Sequence, residues 1–307
     1  GNLGGSASRL NSSAETRGRS GLAQVVSEIG NSAYVLLIDD FHYMAASVQS
    51  DVAKQIKEAA RQGVKICTAS VPHRSDDVVR SNPELRGRIR AVDTKPWNQD
   101  DLIKIGSVGF PLIGIRVANS TLSKLAIEAS QSPQLMQAIC LQACFTIQKR
   151  EFNGSVIERD FSSEEVKLAL EETSTRTDFS SLLRNMHAGP RVRGTERKEF
   201  MLSDGTSGDV YRALLLALST DPPSLNFQWN DLSKRVQAVC KPDSPQATSI
   251  STACAQIAKM AKEMYPTQRV LDWESDPASL LSIEDPYFLF YLRWSDKLRS
   301  LGENSLA

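Results

Sequence analysis

Apolar residues follow two different periods along the chain, and the change between them separates an α/β part from a helical part. The first part contains a continuous apolar run over 34–38, which is typical of a strand buried on both faces of a parallel sheet. A helical pattern over 47–62 ends at Gly63, and a second short strand is predicted over 64–69. Strand, helix and strand in this order predict a parallel βαβ unit.

The rest of the chain is mostly helical, beginning at Asn98, which we predict to cap the first helix of this part. Residues 185–209 are rich in glycine and predict a linker or long loop. Periodicity predicts helices over 99–108, 120–130, 133–148, from 162 onward, and over 210–219, 229–239 and 249–264. Two short strands over 269–273 and 279–283 precede a last helix from Pro286 to about 299. This C-terminal order outlines a winged helix-turn-helix.

The composition supports a packed protein and excludes several classes. Of 307 residues, 41% are hydrophobic and 23% are charged, which excludes wholesale disorder. The 36 basic residues balance 36 acidic ones, which argues against a surface devoted entirely to nucleic acid but leaves a local basic patch open. No 18-residue apolar stretch and no signal-peptide pattern occurs, so we expect no membrane association.

The cysteines and histidines predict neither a zinc site nor a disulfide framework. The five cysteines are an odd number without a C-x-x-C pair, and the three histidines are far apart in sequence. Cys140 and Cys144 are four residues apart on a predicted helix, where we interpret them as small buried apolar residues rather than a redox pair. This cysteine usage predicts a reducing, cytoplasmic setting.

Two acidic residues, Asp39 and Asp40, end the apolar run of the first predicted strand. A parallel strand delivers its last side chains to the carboxyl edge of the sheet, where ligands bind. This is the Walker B pattern, in which the first acid holds Mg²⁺, directly or through water, and the second polarises the attacking water. We assign the metal role to Asp39 and the water role to Asp40. The alternative is a strand that simply ends in a polar turn.

Further polar residues follow in an order typical of nucleotide-binding proteins. The second strand ends in Thr68-Ala69-Ser70, and an arginine-rich segment occupies residues 85–90. The succession resembles that of AAA+ and STAND ATPases: Walker B, sensor 1, an arginine box and a helical lid. By this resemblance Ser70, with Thr68 as its rival, is sensor 1. Arg88 best fits the arginine position, with the flanking arginines as rivals and a solvated basic turn as the alternative.

Two more segments extend the resemblance over about residues 20–300. Pro133 stands where the family begins a lid helix with a Gly-x-Pro type motif, which implies a contact with the nucleotide. Gln134 stands where many AAA+ proteins have a sensor 2 arginine, so we expect no conventional sensor 2, which STAND proteins commonly lack. Residues 283–294 resemble the closing motif of prokaryotic ATPases with a winged-helix tail. Here Asp285 is predicted to cap a helix whose aromatic stripe is buried core: Tyr287, Phe290, Tyr291 and Trp294.

The phosphate-cradling loop of such ATPases, G-x-x-x-x-G-K-[ST], does not occur in the sequence. The glycine-rich start over residues 1–5 has no lysine and no following helix. Either this loop lies in an upstream segment or the site is inactive. We favour an upstream segment because the rest of the nucleotide-side pattern is intact.

We therefore predict an α/β P-loop NTPase core with a parallel sheet, followed by a helical lid and a winged-helix domain. The predicted boundaries are 1–115 for the partial core, 116–184 for the lid, 185–209 for the linker and 210–300 for the winged helix. The resemblance implies a homo-oligomeric switch that binds and hydrolyses ATP with Mg²⁺ and also binds ADP. Prokaryotic relatives of this type often serve as antiviral defence sensors with a separate effector protein.

Two other functions remain open at the sequence level. One is a DNA-handling AAA+ ATPase of the origin-recognition or transposition-regulator type, and the other is a non-enzymatic winged-helix module on a degenerate core. The helix expected to enter a DNA groove, over 249–264, has only Lys259 and Lys262 as basic residues, fewer than a dedicated DNA reader carries. A basic loop could touch nucleic acid or be a solvated linker: Arg184, Arg191, Arg193, Arg197 and Lys198. Charge therefore favours the switch.

Overall fold

The structure is a computed structural model that describes residues 21–39, 41, 44–69, 77–85, 87–92, 96–147, 157–158, 160–191, 197–275 and 279–303. The chain divides into two compact units, Gly1–Lys95 and Pro96–Ala307, called here the small unit and the large unit. None of the helices in these described segments is long and apolar enough to cross a membrane.

The small unit contains the predicted strand, helix and strand. Its elements are α1 (Leu22–Ile29), β1 (Val35–Ile38), α2 (Ala46–Arg61), β2 (Lys65–Thr68), α3 (Asp77–Ser81) and a 3-10 turn (Pro83–Leu85). Strands β1 and β2 pair in parallel, with Ile38 opposite Thr68. A small core forms between the sheet and its helices from Phe41, Ala53, Val78 and Leu85.

Helix α2 ends at Gly63, as the sequence predicts, through two specific backbone hydrogen bonds. Gly63 has φ 81°, a conformation that costs glycine little because it has no Cβ. The Val64 N–H donates to the carbonyl of Ala59 at 3.0 Å, and the Gly63 N–H donates to the carbonyl of Ala60 at 3.2 Å. This pattern is a Schellman motif, which satisfies the last carbonyls of the helix and starts the return toward β2.

The burial of β1 differs from the prediction. Leu36 and Ile38 are half-buried, and Ile38 packs against the same core cluster as Val52 and Ile56 of α2. Val35 and Leu37 point to the other face and are 59% and 62% exposed. The prediction of a strand buried on both faces is therefore wrong for the described residues, because α2 packs on one face of a sheet that has two strands here.

The large unit begins with a helical module, defined as residues 96–174. It consists of α4 (Gln99–Leu112), β3 (Ile115–Arg116), α5 (Asn119–Glu128), α6 (Pro133–Thr146), β4 (Ile157–Glu158) and α7 (Ser163–Ser174). Asn98 caps α4 as predicted, because its side chain accepts the Asp101 N–H at 2.8 Å. Ser162 and Glu165 form a reciprocal capping box at the start of α7. Residues 96–115, the end of the segment predicted as the partial core over 1–115, lie in the large unit.

The second part of the large unit, residues 178–303, is called here the sheet module. It consists of α8 (Ser180–Ala188), β5 (Phe200–Met201), β6 (Ser207–Gly208), α9 (Val210–Ser219), β7 (Asn226–Gln228), α10 (Trp229–Val239), α11 (Ala247–Met264), β8 (Leu271–Glu274), β9 (Leu280–Ile283), α12 (Pro286–Trp294) and α13 (Lys297–Glu303). Strands β7, β9 and β8 form an antiparallel sheet in that order. One hydrophobic core joins the sheet to α8–α13.

Three features of the sheet module differ from the sequence expectation. The expected linker over 185–209 begins inside α8, which buries Leu182, Leu183 and Met186 in the core. The single helix predicted from Pro286 is divided at Ser295, whose backbone is extended. Strand β7 was not predicted, because three residues are too few for a periodic signal, although Phe227 at its centre is fully buried.

Candidate functional site

The candidate site of the small unit is the carboxyl edge of the β1–β2 pair. Asp39 is exposed and directly follows β1, and Thr68 is the last residue of β2. The Ala69 N–H donates to the carbonyl of Ile38 at 2.9 Å, so the chain segments that leave the two strands start side by side. The geometry therefore brings the first predicted acid to the edge where parallel sheets bind ligands.

The backbone that follows Asp39 is anchored in the core of the small unit. Phe41 is fully buried, and its N–H donates to the carbonyl of Ala69 at 3.2 Å. Gln49 of α2, itself buried, donates its amide to the carbonyls of Phe41 at 3.4 Å and Met44 at 3.1 Å. Sequence reasoning missed both anchors; a large apolar residue directly after an acidic pair was the available signal for Phe41.

The chemistry of this edge suits a hard cation. Carboxylate oxygens are preferred Mg²⁺ ligands, and proteins usually hold Mg²⁺ through one or two carboxylates together with water and phosphate oxygens. Asp39 supplies one such carboxylate. Asp40 and Ser70, the predicted water-activating and sensor residues, lie outside the described residues. Thr68, the rival sensor, is half-buried at the end of β2.

The predicted arginine box lies in an irregular segment. Gly87 has φ 77°, and the Arg88 N–H closes a turn onto the carbonyl of Leu85 at 3.0 Å. Arg88 and Arg90 are exposed, and Arg86 lies outside the described residues. Residues 89–92 do not form a strand. The nearby carboxylate of Glu84 pairs with Lys57 of α2.

In the large unit, the predicted lid motif forms a tight turn between α5 and α6. Ser130 and Gln131 both have positive φ, 45° and 67°, a region that costs non-glycine residues roughly 1–2 kcal/mol each. Ser132 caps α6 by accepting the Leu135 N–H at 3.1 Å, and Pro133 occupies the first turn as predicted. The strained turn and the capped N-terminus hold Pro133 in a defined place within this unit.

The predicted basic loop of the sheet module is partly engaged in internal contacts. Arg197 donates to Asp209 at 2.6 Å and to the carbonyl of Ala188 at 2.8 Å. Lys198 pairs with Asp243 at 3.2 Å. Arg184 and Arg191 are exposed, and Arg193 lies outside the described residues.

The exposed side of α11 is nearly neutral. Lys259 pairs with Glu263 at 3.8 Å, and Lys262 is the other basic residue exposed on this helix. The remaining exposed positions are uncharged: Ala247, Thr248, Ser249, Thr252, Ala255 and Met264. This surface offers few partners for phosphates, which supply most of the affinity of DNA-binding helices.

Reactive-thiol chemistry has little basis in the described residues. Burial raises the pKa of Cys140 to about 12, with a further contribution from Cys144, and burial also raises the pKa of Cys144. Thiols with such pKa values are not reactive thiolates at neutral pH. Within the described ranges, His, Cys, Asp and Glu side chains form no group of three that could hold a metal ion.

Two polar clusters of the large unit were not found from the sequence. Arg212 is 1% exposed in the sheet module, and Glu128 and Arg293 meet between α5 and α12. The available signal was weak in both cases, because charged residues inside helical patterns are usually solvent-facing. Glu128 at the end of a helix was a hint, since a carboxylate is unfavourable there.

The chain matches no protein-family model, and no curated protein matches it in sequence.

Proposed function

We propose that the protein is the C-terminal part of an oligomeric ATP-dependent switch of the STAND/AAA+ type. The observation that carries the proposal is Asp39 at the carboxyl edge of a parallel βαβ unit, beside the end of the neighbouring strand. Walker B chemistry requires an aliphatic strand that ends in an acidic residue and a neighbouring strand that ends in a polar residue. The proposal includes a homo-oligomer, a cytoplasmic setting and a separate effector protein.

The proposed roles follow the sequence assignment. Asp39 holds Mg²⁺, Asp40 polarises the attacking water and Ser70 senses the terminal phosphate. Arg88 stabilises charge that develops during phosphoryl transfer, a role for which the planar guanidinium is well suited. Mg²⁺ would supply the positive charge that draws the phosphate oxygens to this edge.

The proposed phosphate-binding loop belongs to a segment outside this sequence. The exposed side of β1 supports this part of the proposal, because parallel sheets are normally covered on both faces. Val35 and Leu37, at 59% and 62% exposure, are apolar side chains that such a segment would bury. A further layer of structure packed on the face of Val35 and Leu37 would give β1 the burial on both faces that is expected of a strand carrying a Walker B acid.

We also propose that the sheet module is a winged helix. Its support is the succession α9, β7, α10, α11, β8, β9, together with an antiparallel sheet in the order β7-β9-β8. In a winged helix, α11 would be the recognition helix and the β8–β9 connection the wing. The proposed module serves the switch as an interaction domain.

The DNA-handling ATPase remains the second candidate because it shares this proposed winged helix. The near-neutral surface of α11 and the engaged Arg197 and Lys198 disfavour it. A DNA-binding assay at increasing salt separates the two: tight binding that falls steeply with salt would favour DNA handling. We expect weak binding with a shallow salt dependence.

The test of the proposed site is nucleotide binding and hydrolysis by the protein with its native upstream sequence. We expect Asp39→Asn to weaken Mg²⁺-dependent ATP binding at least tenfold, because one metal ligand loses its charge. Asp51→Asn is the matched control, since Asp51 is an exposed acid that pairs with Lys54 on the outer side of α2. Equal ATP affinity and turnover in Asp39→Asn and the parent protein would refute the assignment.

A further inference from the structure

The two modules of the large unit meet at a carboxylate that ends α5. Glu128 Oε2 accepts from Arg293 Nε at 3.0 Å and from Trp294 Nε1 at 2.7 Å, while Oε1 accepts from Arg293 Nη2 at 2.8 Å. Arg293 and Trp294 are the last two residues of α12. A single carboxylate of the helical module therefore receives three hydrogen bonds from the sheet module.

The same guanidinium also joins the end of α9. Arg293 Nη1 donates to the carbonyl of Ser219, the last residue of α9, at 2.6 Å, and Nη2 reaches Asp221 at 2.7 Å. A cation is favourable at a helix C-terminus and an anion is unfavourable there. Arg293 thus places a cation at the C-terminus of α9. It also neutralises Glu128, which allows a carboxylate at the C-terminus of α5.

The Glu128–Arg293 pair is buried, whereas the Arg293–Asp221 pair is partly exposed. The side chains of Glu128 and Arg293 are 12% and 7% exposed, whereas Asp221 is 85% exposed. Removing one member of a buried ion pair leaves the other charge without compensation, while an exposed pair contributes little. The Glu128–Arg293 contact therefore depends on the two modules remaining in place.

Each module also has its own hydrophobic core. The sheet module packs around residues such as Leu214 and Phe227, and the helical module has a cluster made only of its own residues, among them Phe110 and Leu122. A further cluster around Leu125 is shared between the modules, because Phe290 of α12 belongs to it. Separate cores allow the modules to stay folded if the contact between them is broken.

We propose that Glu128, Arg293 and Trp294 form a latch that holds the helical and sheet modules as one rigid body, and that opening it lets the modules move about α12 while each remains folded. The latch consists of directional, charge-assisted hydrogen bonds, which are lost over small displacements. None of its three residues has a role in the proposed nucleotide site.

The test is a distance distribution measured by electron paramagnetic resonance on the whole chain. Spin labels are attached through noncanonical residues at Lys124 of α5 and Lys262 of α11, both exposed, so that the native cysteines stay untouched. We expect one narrow distribution in the parent protein. Glu128→Gln and Arg293→Lys should each at least double its width, because neither retains the paired charges together with the two-pronged guanidinium contact.

Glu303→Gln is the matched control, since it breaks the exposed Arg299–Glu303 pair within the sheet module. It should leave the width unchanged. Only variants that keep the helix content of the parent protein and unfold in a cooperative transition are interpreted. Unchanged distribution widths in folded Glu128→Gln and Arg293→Lys would overturn the latch. The modules would then be held together by the packing of Phe290 alone.

A milder variant keeps the proposal testable if the charge variants do not fold. Trp294→Phe retains an aromatic ring and removes the indole N–H that reaches Glu128. Amide hydrogen exchange in residues 128–132 and 219–221 should then increase together at least threefold. Exchange equal to that of the parent protein in both segments would refute the latch.

Discussion

Arg212 shows how a charged residue can be placed in a core. Its guanidinium donates to Thr206 Oγ1 at 3.0 Å, to the carbonyl of Leu298 at 3.0 Å and to Asp204 at 2.7 Å. Gly302 packs against it so closely that a Cβ would overlap the guanidinium. A buried charge persists when its hydrogen-bonding groups are paired, and here that pairing joins β5–β6 to α13.

His187 is the titrating neighbour of this arginine, and we predict that it makes stability pH-dependent. Burial and the positive charge of Arg212 lower the pKa of His187, and Asp209 opposes them in part. The unfolded chain therefore binds the proton more tightly than the folded one. Stability should be complete above about pH 6.5 and fall as the pH decreases through the interval between the unfolded and folded pKa values.

The measurement is urea unfolding from pH 7.5 to 5 for the parent protein and His187→Gln. One proton gives a slope of at most about 1.4 kcal/mol per pH unit, and the partial exposure of the ring reduces it. The difference between the two curves isolates His187 from the other histidines. A difference that is constant over this range would contradict the prediction.

At the scale of elements, α12 is packed on more sides than its sequence suggests. The predicted aromatic stripe is confirmed as buried or half-buried, but Phe288, Leu289 and Leu292 are buried as well. The helix begins as predicted, with Asp285 accepting the Tyr287 N–H at 2.9 Å and Pro286 in the first turn. A helix that is apolar on all sides belongs between two packed bodies.

Substitution of Phe290 tests whether α12 packs between the two modules, because this side chain reaches from α12 into a cluster of the helical module. We expect Phe290→Ala to lower the free energy of unfolding by about 3–5 kcal/mol, the usual cost of removing a buried phenyl ring. Phe145→Ala is the control, since Phe145 is 43% exposed, and should cost less than about 1.5 kcal/mol. Equal losses in urea unfolding of the two variants would contradict the buried position.

At the scale of the whole molecule, the proposed switch requires communication between subunits. Arg88 is exposed at a turn of the small unit, which allows a contact with a neighbouring subunit. Arginine fingers of this type contribute roughly 10³–10⁵ in rate. We therefore expect Arg88→Ala and Asp40→Asn to abolish ATP turnover separately in the protein with its native upstream sequence.

Mixtures of these two variants separate a finger in trans from one in cis. If Arg88 acts on the neighbour's nucleotide, mixed assemblies contain some interfaces with an intact arginine and an intact acid, and part of the turnover returns. Gln62→Ala subunits, altered at an exposed position at the end of α2, serve as the mixing control. Complete inactivity in mixtures that demonstrably co-assemble would favour a contact within one subunit or a structural role.

The local structure of this chain was largely predictable, because it depends on residues a few positions apart. The Asn98 and Asp285 caps and the termination of α2 at Gly63 are confirmed. The ATPase assignment stays a prediction, as do the roles of Asp40 and Ser70. Of the candidate site, the sequence indicated the acidic strand end but not the core anchors that hold it.

By itself, the sequence determined the helix ends at Asn98, Gly63 and Asp285, since caps and turns are short-range interactions. Only the tertiary structure decided which face of β1 is buried, where β7 pairs, and that Arg212 lies inside a core. The Glu128–Arg293 pair joins residues 165 positions apart. No periodic pattern encodes such a pair, because its energy depends on burial and on geometry that exist only once the two modules have packed.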